Sequence, residues 1–206
     1  MLLATIMSLS KGVLLNDSID IDSIKSIRLY NDCGLNGKLD FKAFETAMEG
    51  IKGNKVVKKN SLLVIIDFRL PSTQERFYVI DLKNKKLLYH TLVAHGKNTG
   101  ENMAKNFSNE SGSKKSSLGL FLTAETYTGK HGYSLKLDGL DKGINDNARE
   151  RLIVIHGADY VTPEYAKQQG RLGRSWGCPA LPPTLTKEII NTIKGGYPLF
   201  AYYKYN

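Results

Sequence analysis

Two short motifs in the last third of the chain hold residue types capable of covalent chemistry. The first is Ile155-His156-Gly157; the second, after a long polar connection, is Arg171-Leu172-Gly173-Arg174-Ser175-Trp176-Gly177-Cys178-Pro179-Ala180. A thiol attacks a carbonyl as its thiolate, and with a free pKa of about 8.5 only a few per cent is ionised near neutrality. An imidazole, titrating at about 6.5, is the side chain best suited to raise that fraction. Gly177 lets the backbone turn sharply and brings amide N–H groups toward the sulfur, where such donors stabilise an oxyanion by roughly 2.7–4 kcal/mol. Taken singly, Cys178 reads more simply as a small buried hydrophobe and His156 as a histidine satisfied within the core. Taken together, with a glycine on each motif, they read as nucleophile and base.

The other histidines and the second cysteine bear on the same question. His90 falls inside an apolar run and is expected to pack or to face solvent, whereas His95 and His131 each precede a glycine at a predicted strand end, a place where an imidazole lines a cleft. By residue type alone, His95, His131, His156 and Cys178 make a conceivable zinc set. No local ligand pair of the HExxH or CxxC kind accompanies them, so no metal and no cofactor is expected. Cys33 and Cys178 are even in number, which invites a disulfide. A bridged Cys178 has no thiolate to offer, so Cys33 is expected to be structural, beside Gly34, and Cys178 free.

Several blocks in fixed order carry a family resemblance: Ile66-Asp67-Phe68, Val93-Ala94-His95-Gly96, Ser116-Ser117-Leu118-Gly119, Gly129-Lys130-His131-Gly132 and Gly173-Arg174-Ser175-Trp176-Gly177-Cys178-Pro179-Ala180. From about Leu62 to the C-terminus the chain resembles the L,D-transpeptidase catalytic-domain family (YkuD-like), and within it the branch of murein L,D-transpeptidase catalytic-domain proteins. Two departures are visible. Trp176 stands where the broader signature has a histidine, which removes any role that second imidazole plays, and the loop from His156 to Ser175 is longer than most members carry.

The resemblance implies cysteine-dependent acyl transfer on peptidoglycan stem peptides, with Cys178 as nucleophile, His156 as base and the backbone at Gly177 and Cys178 as oxyanion site. It further implies that Arg174 either pairs with a substrate carboxylate or holds the turn through a salt bridge, that Ser175 shapes the turn and Trp176 walls the cleft, and that His131 and His95 face substrate. Transfer to a second stem's amine, or to water in a carboxypeptidase outcome, would resolve the thioester. The expected location is the cell envelope, periplasmic or exported, and the expected state a monomer.

The elements that must position these residues emerge from the apolar periodicity. Ile21, Ile24 and Ile27 repeat at three-residue steps, and Phe41, Phe44, Met48 and Ile51 at three and four, each stripe predicting one face of a helix. Gly34 and Gly37 supply the turn of a helical hairpin. Beyond residue 60 the pattern changes to short β-runs, Leu62–Phe68, Phe77–Leu82, Leu87–Ala94, Leu118–Thr123, Tyr133–Leu137 and Leu152–Ile155, with Asn84 in a hairpin turn. A helix over Leu185–Lys194, stopped by Gly195-Gly196, and a final aromatic strand Tyr197–Tyr203 complete the expectation. The predicted class is mainly β with peripheral helices, an L,D-transpeptidase-like barrel or sandwich preceded by a small helical hairpin. Residues 1–60 are read as a helical segment and residues 61–206 as the catalytic domain.

A length of 206 residues allows burial of roughly 70% of the surface the unfolded chain exposes, enough for a core without staples. Residues 95–117 and 157–177 are long polar connections, the kind of segment that supplies lids and binding loops. The net charge of +9 suits a polyanionic partner, whether nucleic acid, an acidic lipid surface or an anionic wall polymer. No nucleic-acid module is recognisable, and a nucleic-acid partner is not expected. Met1–Met7 is apolar but too short to span a membrane and lacks a basic leader, so it reads as a trimmed signal remnant or an ordinary helix start, and no transmembrane segment is expected. A cysteine peptidase or amidase acting on other wall peptides, or a wall-binding module without catalysis, are the alternatives from other classes.

Overall fold

The structure, a computed structural model, describes residues 21–203; the apolar run Met1–Met7 lies outside the described residues. In chain order the elements are α1 (Ile21–Asp32), α2 (Phe41–Lys52), β1 (Leu62–Asp67), β2 (Phe77–Asp81), β3 (Lys86–Thr91), β4 (Gly119–Gly129), β5 (Gly132–Gly139), β6 (Val154–Gly157), α3 (Pro163–Gln169), β7 (Ala180–Leu181), α4 (Pro183–Ile193) and β8 (Pro198–Tyr202). The strands form one sheet in the order β3-β2-β1-β8-β4-β5-β6-β7. It nearly closes on itself, because Ala94, three residues past β3, pairs with Ala180 of β7 through a backbone bond of 2.9 Å.

β1 explains why this sheet has an unbroken apolar strand. All six of its residues are buried, and successive side chains of a strand point to opposite faces. Val64 and Ile66 pack into the barrel interior with Val79, Phe121, Leu137, Leu199 and the α4 residues Ile189, Ile190 and Ile193. Leu63 and Ile65 pack outward, against Phe44, Ala47 and Ile51 of α2. The helical pair is thus the outer cover of β1, and burying a side chain such as Phe44 contributes about 1.5–3 kcal/mol.

α2 begins where Asp40 accepts the N–H groups of Lys42 (2.9 Å) and Ala43 (3.3 Å) on its carboxylate, the usual way of satisfying a free first turn. The stripe expected on α1 does not face the core. Ile24 and Ile27 are exposed, and the inward residues are Tyr30 and Cys33, while Ser23 hydrogen-bonds to Glu45 of α2 at 3.0 Å. Three-residue spacing over so short a helix fits two faces nearly equally, and the larger Tyr30, edge-on to Phe41 and Phe44, takes the buried one. Ile21 has no described side chain.

The expected β-runs are all present. β4 continues six residues beyond the expected Thr123, through Glu125, Tyr127 and Gly129, and pairs with β5 in a hairpin whose turn is Lys130-His131. Two elements add to the expectation: the two-residue β7 and the short α3, which Thr162 caps through the Tyr165 N–H (3.1 Å) and Gly170 ends in the left-handed region. α3 belongs to a small separate cluster of Leu92, Ala94, Val161, Ala166, Leu172 and Ala180. That cluster fixes the 157–177 connection to the seam of the sheet. The 95–117 connection has no helix or strand, yet it is tied down along its length, by Lys97 N–H to Ser175 O (2.7 Å), Asn98 N–H to Lys114 O (3.1 Å) and Ser108 N–H to Ser116 O (3.1 Å). Among the described residues no helix is long and apolar enough to cross a membrane.

Candidate active site

The site is built where the sheet closes. β6 pairs with β5 on one side and runs parallel to β7 on the other, with His156 opposite Ala180 and Gly157 opposite Leu181. His156 lies on β6, and Cys178 lies two residues ahead of Ala180 at the entrance to β7. The His156 N–H donates to Pro179 O at 3.4 Å, so backbone pairing brings the two motifs together. Gly157 is required by the close approach of α4: a Cβ there would stand 2.9 Å from Thr186 Oγ1 and 3.5 Å from Pro183 Cα, and the first turn of that helix could not pack.

The imidazole of His156 is buried. Its Nδ1 lies 2.9 Å from Gly157 O; since a carbonyl only accepts, Nδ1 carries the proton and Nε2 is left with the lone pair. Burial holds its pKa below the ordinary histidine value, the Gly157 carbonyl opposes that shift, and nearby His131 adds to it. It is therefore a neutral base near pH 7. The exposed His131, at the tip of the β4–β5 hairpin, stacks on it with ring centroids 4.6 Å apart. Beside this pair an open groove of about 230 Å³ is lined by His131, Tyr133, Gly157, Asp159, Thr186 and Lys187.

The turn carrying the sulfur is fixed by Ser175, whose Oγ accepts the Gly177 N–H (3.1 Å) and donates to Cys178 O (2.6 Å). Gly177 has φ +127, and a Cβ on it would meet Lys115 O at 2.8 Å. Gly96 presses on it from the other side, its own Cβ position being 2.9 Å from Gly177 Cα. Ser116 pins the two together, accepting the Gly96 N–H (3.0 Å) and donating to Gly177 O (3.0 Å). The sequence motifs around residues 96, 116 and 177 thus meet in one backbone knot.

Both cysteines are free, Cys33 buried and Cys178 half-buried. The Cys178 thiol donates to Leu152 O (3.6 Å) and accepts the Val154 N–H (3.5 Å), and no hydrogen bond joins it to the imidazole. Burial pushes the thiol pKa up, while the Val154 N–H and the charge of Arg151 pull it down. The residue whose carbonyl takes the S–H, Leu152, is itself unusual: 73% exposed and at φ +56.

Of the other candidate residues, His95 and the Gly177 N–H are placed otherwise than expected, whereas Arg174 takes the second of its two expected roles. His95 is not at a cleft wall but inside: its Nδ1 accepts from Arg76 Nη2 (2.8 Å) and its Nε2–H donates to Gly100 O (3.2 Å), so neither nitrogen is left for a ligand. Gly177 does not offer its N–H as an oxyanion donor, because Ser175 Oγ already takes it. Arg174 closes on Glu101 (2.5 Å), which also binds Arg171 (3.0 Å), and so holds the turn. Trp176 is 74% exposed, with the Lys114 ammonium 4.8 Å from its ring centre. His90 stacks on Tyr78. Among the described residues no three His, Cys, Asp or Glu side chains gather as a metal set. Arg151, whose guanidinium lies beside Gly177, has no motif of its own in the sequence; the only hint for it is its place five residues before His156.

Fold and site together define a mainly β domain whose closing seam holds a neutral imidazole on β6 and a free thiol on the turn into β7. The chain belongs to the L,D-transpeptidase catalytic domain family, whose model matches residues 35–202. Among solved structures it is similar to an L,D-transpeptidase from Mycobacterium smegmatis (14% identity, TM-score 0.42, covering 69% of this chain and 59% of that one). It is similar also to an L,D-transpeptidase from Enterococcus faecium (19%, TM-score 0.41, 69% and 50%) and to the helical cell shape determining protein Pgp2 from Campylobacter jejuni (14%, TM-score 0.47, 79% and 56%). The chain thus spans between 50% and 59% of the length of those three. No curated protein matches it.

Proposed function

We propose that this protein is a cysteine-dependent acyltransferase of the cell envelope that acts on peptidoglycan stem peptides. The observation that carries the reading is the placement of a neutral imidazole on β6 and of a free, half-buried thiol on the turn that leads into β7, the strand paired with β6. In the resting arrangement the S–H rests on Leu152 O; on substrate binding the proton passes to Nε2 of His156, contacts of this kind tightening only in the complex. The thiolate attacks the carbonyl after the L-centre of the stem's diamino acid, His156 returns the proton to the departing D-alanine amine, and a thioester on Cys178 remains. A side-chain amine of a second stem resolves it to a cross-link. The groove under the β4–β5 hairpin takes the stem, with Lys187 facing its carboxylates and His131 covering the base. In this reading residues 61–206 form the catalytic domain, and the helical segment before them buttresses β1.

Intact-mass measurement after incubation with a carbapenem tests the proposal. A single adduct is expected, lost in Cys178→Ala and retained in Cys33→Ser. An adduct on Cys33, or equal labelling of Cys178→Ala, refutes it. Release of D-alanine from tetrapeptide muropeptides, with no cleavage of casein-type peptides, separates the reading from an ordinary cysteine peptidase.

A further inference from the structure

The segment just before β6 wraps the nucleophile, and its first residue is a cation. Leu152 O and Val154 N–H both bond Cys178 Sγ, and Arg151 directs its guanidinium across the same turn, with Nη2 3.5 Å from the position a Cβ on Gly177 would occupy. The guanidinium is anchored by four hydrogen bonds: Nη1 donates to Ser108 O (2.7 Å) and to Ser117 Oγ, Nη2 to Lys115 O (2.7 Å) and Ser113 Oγ (3.3 Å). Every one of these acceptors is neutral. Elsewhere Arg69 closes on Asp67, Arg149 on Glu125 and Asp138, and Arg171 and Arg174 on Glu101; among the described residues no carboxylate pairs with Arg151.

A half-buried cation without a counter-ion favours any anion that forms beside it, since a charge pair in a partly desolvated site is screened less than in water. The anion available at this place is the Cys178 thiolate. We propose that Arg151 is the positioning residue that stabilises the Cys178 thiolate, and that it does so in place of an imidazolium partner. The inference rests on Cys178 being the nucleophile and adds the source of its ionisation. His156 fits this division: buried, with Nδ1 committed to Gly157 O, it is disfavoured as a standing cation and acts as a proton carrier. The charge effects go the same way, since Arg151 acts on Cys178 and Cys178 on Arg151.

The test is the pH dependence of Cys178 alkylation by iodoacetamide in the full chain carrying Cys33→Ser, so that one thiol reports. In Arg151→Gln the midpoint is expected to rise by about one pH unit, lowering the rate near neutrality about tenfold; in Arg151→Lys, which keeps the charge, most of the shift is expected to disappear. In His156→Gln the midpoint is expected to stay within about 0.3 units, although acylation by a carbapenem is lost. An unchanged midpoint in folded Arg151→Gln overturns the inference. So does a rise of about one unit in His156→Gln, a variant that decides the matter even where Arg151→Gln fails to fold. Loss of the midpoint shift with acylation intact leaves Cys178 as the nucleophile and refutes only the role of Arg151, whereas a normal shift without acylation in the parent refutes the reading of the site.

Discussion

Acidification is expected to weaken this fold through His95, and the size of the effect is set by its surroundings. The ring is buried, receives a hydrogen bond from the Arg76 guanidinium on Nδ1 and gives one to Gly100 O from Nε2. Protonating Nδ1 would cost that bond and place two cations in contact away from water. Burial, and then the Arg76 charge, hold its pKa down at about 4 against an ordinary 6.5. As pH falls the unfolded chain takes up the proton first, so the neutral ring's contribution is whole above pH 6.5, declines below it, and is gone once pH has passed through about 4. Between about pH 7.5 and about pH 5 the loss is about 2 kcal/mol. His95→Gln places an amide that can accept from Arg76 and donate to Gly100 without titrating, and so isolates the effect from the carboxylates. Urea denaturation of parent and variant at both pH values is the assay. The parent is expected to lose about 2 kcal/mol more than the variant; profiles parallel within about 0.5 kcal/mol refute the account. Because His95 O accepts the Ser175 N–H at 3.0 Å, the same protonation loosens the nucleophile turn.

Two further substitutions probe that turn. Gly177→Ala introduces a Cβ 2.8 Å from the Lys115 carbonyl at φ +127, and is expected to cost about 3 kcal/mol or more through strain and overpacking; denaturant unfolding and the carbapenem acylation rate should both fall, and a variant as stable and as reactive as the parent contradicts the geometry. Leu152→Gly removes a side chain that is 73% exposed from a residue at φ +56 and is expected to gain about 0.5–1 kcal/mol, the left-handed strain outweighing the added chain entropy, with a lower midpoint in thermal unfolding as the contrary result.

Much of this arrangement was legible because it is written in periodicity and in glycine. β1 reads as an apolar run since both of its faces are covered, α2 shows its stripe, and the two chemistry-bearing motifs hold Gly157 and Gly177, both needed for close backbone approach. The features that escaped reading depend on distant partners. The far half of β4 alternates polar residues over solvent and gives no apolar signal. α3 does announce itself, with Thr162-Pro163 at the start and Gly170 at the end, but seven residues are too few to show a stripe. Whether His95 faces a cleft or the interior is decided by Arg76, nineteen positions earlier, and the availability of the Gly177 amide by a serine hydroxyl whose direction no spacing reveals. Arg151 is invisible for the same reason: its importance lies in lacking a carboxylate, which only the folded chain makes evident.

The pairing of Ala94 with Ala180 has a thermal corollary. A cylinder closed by a two-residue strand and by the isolated bridges Ala94–Ala180 and Gly96–Ser175 is least secure there, and local opening draws on the least supported contacts. Heat would therefore unzip this join while the long β4–β5 ribbon and the β1–β2 ladder still hold, releasing the Gly177–Cys178 turn from the Gly96 backbone that presses on it in a molecule that remains largely folded. Inactivation would precede melting, and amide exchange at Ala94 and Ala180 would run ahead of the rest of the sheet.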